Sequence, residues 1–202
     1  MNHDKEKLAE KILIFLYSLS SSSNLINANT FKRYIYLYYL TESFLNGESE
    51  NIAISIDKGS VNIINFDLII DDLSVKEFIM LNENNIIICD SLVVYVRSLL
   101  SNKDGAFFAM YKQINPFVNL LKSYNDQFIF TIFFSEPTFK EATQRGLTSL
   151  NSDNSKLTKL LDKFKKKIKN ANIDEYDILT YWMDFILKNY YADGGTKNNA
   201  EE

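Results

Sequence analysis

"NTFKRYIYLYYLTESFLNG", residues 29–47, admits two secondary structures, and the choice between them decides the fold class. As a strand it would place Tyr34, Tyr36 and Tyr38 on one face, and tyrosine and isoleucine both favour strands. Length argues for a helix. No glycine or proline interrupts residues 28–46, Asn29 or Thr30 can cap the start, and Gly47 stands just past the end. On a helical wheel, Phe31, Tyr34, Ile35, Tyr38 and Leu45 form one apolar stripe, and Leu37, Leu40 and Phe44 form a second beside it. The two stripes cover more than half of the circumference, broken by Arg33 and Glu42. A surface helix needs only one, so the sequence predicts a helix flanked on two sides, by two layers of its own domain or by its domain and a partner. Tyr34 and Tyr38 are assigned to the core. Lys32, Tyr36 and Tyr39, which fall on the polar side with Ser43, are the candidate protein interface.

On the N-terminal side, residues 4–20 predict an amphipathic helix with Leu8, Ile12, Phe15, Leu16 and Leu19 on one face, and "SSSSNLINAN" is a polar break. After Gly47, "IAISIDKGSVNIINF", residues 52–66, alternates apolar and polar around "DKGS" and predicts a β-hairpin. Phe66, Ile69, Ile70, Leu73, Met80 and Leu81 then fall on a helical face, interrupted by Glu77, up to the turn "NENN". "IIIC", residues 86–89, reads as a short strand, followed by a helix over 91–100. Three helices and short strands in this order outline a winged helix-turn-helix.

The second half is helical. "DGAFFAMYKQINPFVNLLKSYNDQFIFTIFF" carries Pro116, expected in a first helical turn, and a turn signal at "SYND". The break "LTSLNSDNS" precedes the most regular helix, "KLTKLLDKFKKKIKN", and an aromatic helix over 174–190 contains Trp182. "ADGGTKNNAEE" is expected to be a disordered tail. The expected fold is mainly α with a small β component: a winged-helix-like domain over 1–103, a helical region over 104–191 packed on it, and a tail over 192–202.

Composition fits that class. Among 202 residues, 46% are hydrophobic and 24% charged, and only six glycines and two prolines leave little room for many tight turns. The single cysteine, Cys89, excludes an internal disulfide and reads as a small hydrophobe in a buried strand. His3 is the only histidine and sits at the N-terminus, a poor place for a Cys/His or Ser/His pair. "KILIFLYSLSSSS" imitates a secretory signal, but Glu6 and Glu10 precede it and its apolar residues keep helical spacing. No apolar run approaches the roughly 18 residues of a membrane span, so a cytoplasmic protein is expected.

Charge is segregated. Lys156, Lys159, Lys163, Lys165, Lys166, Lys167 and Lys169 face only Asp162, so this helix carries +6, and the chain's −4 leaves −10 elsewhere. Leu157, Leu160, Leu161, Phe164 and Ile168 give it an apolar seam. Such a helix can follow a phosphate backbone without reading sequence, meet an acidic partner, or simply be solvated. Asp67, Asp71 and Asp72, and again Asp174, Glu175 and Asp177, cluster where helices start; a shared metal is one reading, dipole complementation the simpler one. Neither "GxxxxGK[ST]" nor "GxGxxG" is present, and "SEPTFKEA" only loosely imitates a nuclease motif. No catalytic residue, cofactor or metal is assigned.

The order of these elements carries a resemblance. An amphipathic opening helix leads to "FKRYIYLYYLTES", then to "DLIIDDLSVKEFIMLNENNIIIC", and later to "DQFIFTIFFSEPTFKEA". Over residues 8–150 this pattern resembles the small middle components of bacterial three-component ABC-ATPase (ABC-3C) defence systems, among them LmuC of Lamassu-type systems. Where that family carries an aspartate in a "YLDYLL"-like run, this chain has Tyr38, and a plain hairpin precedes its third helix. The resemblance implies a non-catalytic subunit between an SMC- or ABC-like ATPase and an effector nuclease, acting against phage or plasmid DNA. The alternative is a stand-alone winged-helix DNA-binding regulator. It needs a basic recognition helix, yet residues 67–81 set Asp67, Asp71, Asp72 and Glu77 against Lys76. A sequence-independent DNA contact is better assigned to residues 156–169.

Overall fold

The computed structural model describes residues 2–47, 50, 52–57, 60–151, 155–168 and 173–195. Among them the chain forms nine helices and two small three-stranded sheets, so it is mainly α with a small β component. It divides into two compact units, Met1–Tyr36 with Ser60–Ser123, and Leu37–Gly59 with Tyr124–Glu202. The expected break at 103/104 is not where this division falls. Residues 104–123 belong to the first unit, and 37–59 to the second.

The first unit opens with α1 (Asn2–Ser20), β1 (Leu25–Asn27) and the start of α2 (Ala28–Asn46), and continues through β3 (Ser60–Ile63), α3 (Phe66–Val75), β4 (Ile79–Asn82), β5 (Asn85–Ile88), α4 (Asp90–Leu100) and α5 (Ala106–Leu121). Its antiparallel sheet has the order β1-β5-β4, with Leu25 opposite Ile87 and Ile79 opposite Ile88. Helix, strand, two helices and a two-stranded wing, with the first strand beside the last, is the winged-helix arrangement. The chain between α2 and α3 departs from it, because residues 47–65 replace the short turn of a helix-turn-helix.

Four rings hold the helices of this unit. Phe15 of α1 meets Phe31 of α2 and Phe117 of α5 edge-on, each at 6.3 Å, and Phe31 meets Phe66 of α3 at 5.7 Å. All four are buried, as is the predicted α1 face of Leu8, Ile12, Phe15, Leu16 and Leu19. Edge-to-face pairs of this kind contribute about 0.5–1.5 kcal/mol beyond area burial.

Several local expectations are corrected. The cap of α2 is Asn27, whose Oδ1 accepts from the backbone amides of Asn29 and Thr30 at 3.0 and 3.3 Å. The helical face expected to reach Leu81 ends at Val75, and Met80 and Leu81 lie on β4. There the Glu77 amide donates to Ser74 O and the Phe78 amide to Leu73 O, both at 3.0 Å, with Glu77 at φ 57°. This is a Schellman stop with glutamate where glycine is usual, so the sequence carries no stop signal. Cys89 lies after β5, half-buried, as the cap residue of α4. Pro116 sits inside α5 rather than in its first turn. It forgoes one ladder bond between Ile114, Phe117 and Val118, all fully buried, so packing overrides the proline.

The second unit holds the rest of α2, β2 (Ala53–Asp57), α6 (Asp126–Ser135), α7 (Pro137–Gln144), β6 (Ser149–Asn151), α8 (Lys156–Lys167) and α9 (Glu175–Gly195). β2 and β6 pair antiparallel, Ile54 opposite Leu150. The strand β6 falls within the stretch expected to be a polar break. β2 and β3 are the strands expected of the 52–66 hairpin, and its turn at 58–59 lies outside the described residues. Helix α6 packs on α7 and α9, and α8 packs on the same two. Asn125 caps α6 through its side chain, and the buried Glu136 carboxylate accepts from the Thr138 and Phe139 amides at 2.7 Å to start α7. Helix α9 runs through 192–195, expected as tail, while 196–202 lie outside the described residues.

Two substitutions test this account by urea denaturation. Phe15→Ala should lower stability by about 3–5 kcal/mol, since it removes the ring that meets both Phe31 and Phe117. Glu77→Gly should raise stability by about 1 kcal/mol, since glycine takes the left-handed conformation without the penalty a Cβ carries.

Candidate functional site

Every tyrosine in residues 34–39 is buried. Tyr36 is 0% and Tyr39 2% exposed, which overturns their assignment to a free interface on the polar side of α2. The wheel placed them there by the company of Lys32 and Ser43, but a tyrosine ring tolerates burial once its hydroxyl has a partner. Tyr38 shows the arrangement: its oxygen accepts from Asn46 at 3.2 Å, and burial, with Glu42 beside it, pushes its pKa far above the usual phenol value. Lys32 is engaged as well, 2.9 Å from Asp67 and 5.2 Å from the centre of the Phe66 ring.

The exposed candidate is the pair α8–α9 in the second unit. Ser155 caps α8 by accepting from the Thr158 amide, and Leu157 and Leu161 are buried beneath it. The Thr158 hydroxyl donates to Leu40 O. Two lysines tie the helix at its ends, Lys156 to Glu141 of α7 and Lys165 to Glu175 of α9. Arg145 joins Glu141 at 2.7 Å. Lys159, Lys163, Lys166 and Lys167 are exposed and have no ion pair among the described residues. Lys169 lies outside them.

The apolar seam of α8 is covered only at its first half. Phe164 is 43% exposed, and with Ile168 it faces Ile178, Tyr181, Trp182 and Phe185 of α9 across a groove of about 220 Å³. Tyr181 and Phe185, one helical turn apart, are about 60% exposed. Helical spacing puts Lys163 and Lys167 on the flank beside Phe164, and Lys188 one turn beyond Phe185. The groove is thus lined by apolar side chains. The sequence showed the lysines and the seam but not the groove, because α9 is apolar on most sides and its wheel does not say which face stays uncovered.

Other features of the described residues offer less. A polar hollow of about 540 Å³ in the first unit is lined by Tyr17, Ser20, Asn24 and Tyr111. The nearby Lys122 ammonium already donates to Ser18 O, Ser21 Oγ and Asn119 Oδ1. On α3 the exposed face is Leu68, Asp71, Asp72 and Val75, and the helix has no basic residue. Among the described residues no three His, Cys, Asp or Glu side chains are placed to hold a metal ion, and no helix is long and apolar enough to cross a membrane. The chain matches no family model, no curated protein and no solved structure.

The ties of α8 are acid-sensitive. The Lys156 ammonium holds the Glu141 carboxyl below its ordinary value of 4.5, and Lys165 does the same for Glu175. A carboxyl lowered on folding stabilises above its unfolded value and loses that contribution as pH falls through the lower, folded one. Acidification below 4.5 should therefore loosen both ends of α8 and shift Trp182 emission to the red. In Glu175→Gln the part of that transition arising at α9 should be absent.

Proposed function

We propose that the chain is a non-catalytic accessory subunit of a bacterial defence complex in the cytoplasm, joining an SMC- or ABC-type ATPase to an effector nuclease through its α8–α9 face. The carrying observation is the aromatic groove between α8 and α9, whose Phe164, Tyr181 and Phe185 stand exposed in the chain alone. Large aromatic side chains are the usual anchors of protein interfaces. The winged-helix order of the first unit supports the proposal, since the sequence resembles ABC-3C middle components through the same order of elements. The outer face of α3 favours it over a stand-alone DNA-binding regulator, because it offers phosphate no basic residue, Asp71 would meet it with like charge, and Asp72 is already paired with Lys5. Any sequence-independent DNA contact falls to the exposed lysines of α8.

Expressed with an affinity tag from its own locus, the chain should co-purify with an ATPase and a nuclease, in amounts reduced by Tyr181→Ser with Phe185→Ser. Its deletion should raise phage plating or plasmid retention. Recovery of the chain alone, with plating and retention unchanged on deletion, overturns the proposal. Duplex affinity that survives Lys165, Lys166 and Lys167→Glu removes the DNA contact from α8.

A further inference from the structure

We infer that a hollow between α7, β6 and the first turn of α8 binds the terminal phosphate of a nucleic-acid strand, held among Arg145, Lys156 and Lys159. Such a site goes beyond the proposal above, sharing only the lysines of α8 with it and needing neither a protein partner nor a defence complex.

The hollow measures about 660 Å³ and is built wholly from the second unit. Its charged lining is Glu141 with three cations. Glu141 holds Arg145 on one carboxylate oxygen, at 2.7 Å, and Lys156 on the other. Lys159, one turn after Lys156, has no ion pair among the described residues, yet its charge reaches Glu141 and helps to lower that carboxyl. Two positive charges of the lining are therefore left over. Donors are left over as well. Arg145 meets Glu141 through one nitrogen, and each ammonium carries three protons. Thr138, 6% exposed, accepts from the Lys156 amide at 3.0 Å, and its own proton has no acceptor among the described residues. A concave, donor-rich site with surplus positive charge concentrates anions whose oxygens all accept.

Nearby acidic groups do not remove the surplus. Glu136 is fully buried, and its two oxygens accept from the Thr138 and Phe139 amides at the start of α7, where the helix terminus favours a negative charge. Asp162, one turn after Lys159, is outside the lining and has Lys166 one turn further on. With Asp153, in the adjoining stretch outside the described residues, counted in full, one positive charge still remains.

A surplus of this size selects among anions. A carboxylate or a phosphate diester brings one negative charge, whereas a phosphate monoester brings about 1.5 to 2. What adjoins the cations favours a strand end over an isolated phosphate. The other walls of the hollow include Ala53, Leu147 and Leu150, an apolar surface for a terminal sugar and base. Past the hollow, α8 carries Lys163 and Lys167 four and eight residues after Lys159, exposed and without an ion pair among the described residues, where further phosphates of the same strand can lie. A peptide with a single phosphorylated side chain would use neither.

The full chain is titrated calorimetrically with three oligothymidines of about 10 nucleotides, one with a 5′-phosphate, one with a 3′-phosphate and one with hydroxyls at both ends. Inorganic phosphate and a neutral peptide bearing one phosphoserine complete the panel. At least one phosphorylated strand should bind roughly tenfold tighter than the hydroxyl strand. Arg145→Gln combined with Lys159→Gln should bring that ratio near one. Both positions are exposed, so the variant should keep the parent's circular dichroism. Lys156 is left in place because it ties α8 to α7. Equal affinity for the three strands, a ratio unchanged in the double variant, or inorganic phosphate or phosphopeptide bound as tightly as the better strand overturns the inference. If all three strands bind equally well, a sequence-independent contact by α8 stands and the end site falls. A tenfold ratio, with the tagged chain recovered alone and plating unchanged on deletion, keeps the end site and sinks the defence complex.

Discussion

Helix α2 has almost no side facing water, and much of the structure follows from satisfying it. Phe31, Tyr34 and Tyr36 belong to the first unit, and Leu37, Tyr38 and Leu40 to the second, all of them buried. A helix so enclosed must also bury its polar side chains, and each then needs a partner. Thr41 donates back to Leu37 O at 2.8 Å, Glu42 accepts from the Glu50 amide, and Asn46 donates to Tyr38. The tyrosines that gave the segment a strand-like look are therefore core residues with a polar end. Their hydroxyls make them suitable for a helix that has no exposed face to spend on polarity.

What was legible in the sequence depended on whether the local chemistry agreed with the outcome. Gly47 and Gly146 end α2 and α7 at φ 78° and 63°, glycine standing where the left-handed conformation calls for it. Glu77 takes the same conformation at the end of α3 without announcing it, so a helix and a strand were merged into one apolar face. Strand β1 spans three residues, too short for alternation to show. Pro116 shows the opposite failure, a strong signal that packing of Phe117, Val118 and Leu121 outweighs. Tyr36 and Tyr39 were misplaced for a third reason: a wheel describes one helix, and burial depends on what surrounds it.

The candidate site was half visible for the same reason. Seven lysines beside one aspartate are a linear feature, and they emerged at once as a cationic helix. The division of the six described ones into two that fasten the helix and four that face water needs the positions of Glu141 and Glu175, which lie in other elements. The aromatic half is a matter of coverage. Phe164 continues the seam begun by Leu157 and Leu161, and nothing in its spacing marks it as the residue that α9 leaves open.

The long connection between α2 and α3 bears on how this architecture can change. Where a helix-turn-helix fixes the angle of its two helices by a turn of set length, here α3 is held by the ring of Phe66 against Phe31 and by Asp67 against Lys32. Backbone geometry and helix placement are thereby uncoupled. Each doubling of a flexible connection costs only about 0.6 kcal/mol, so insertions and deletions in this stretch outside strands β2 and β3 would be nearly neutral. Descendants of a common ancestor could drift in length there while keeping the same helical core. Spacing along the chain would then be a poor record of kinship, and the paired positions 31 with 66 and 32 with 67 a better one.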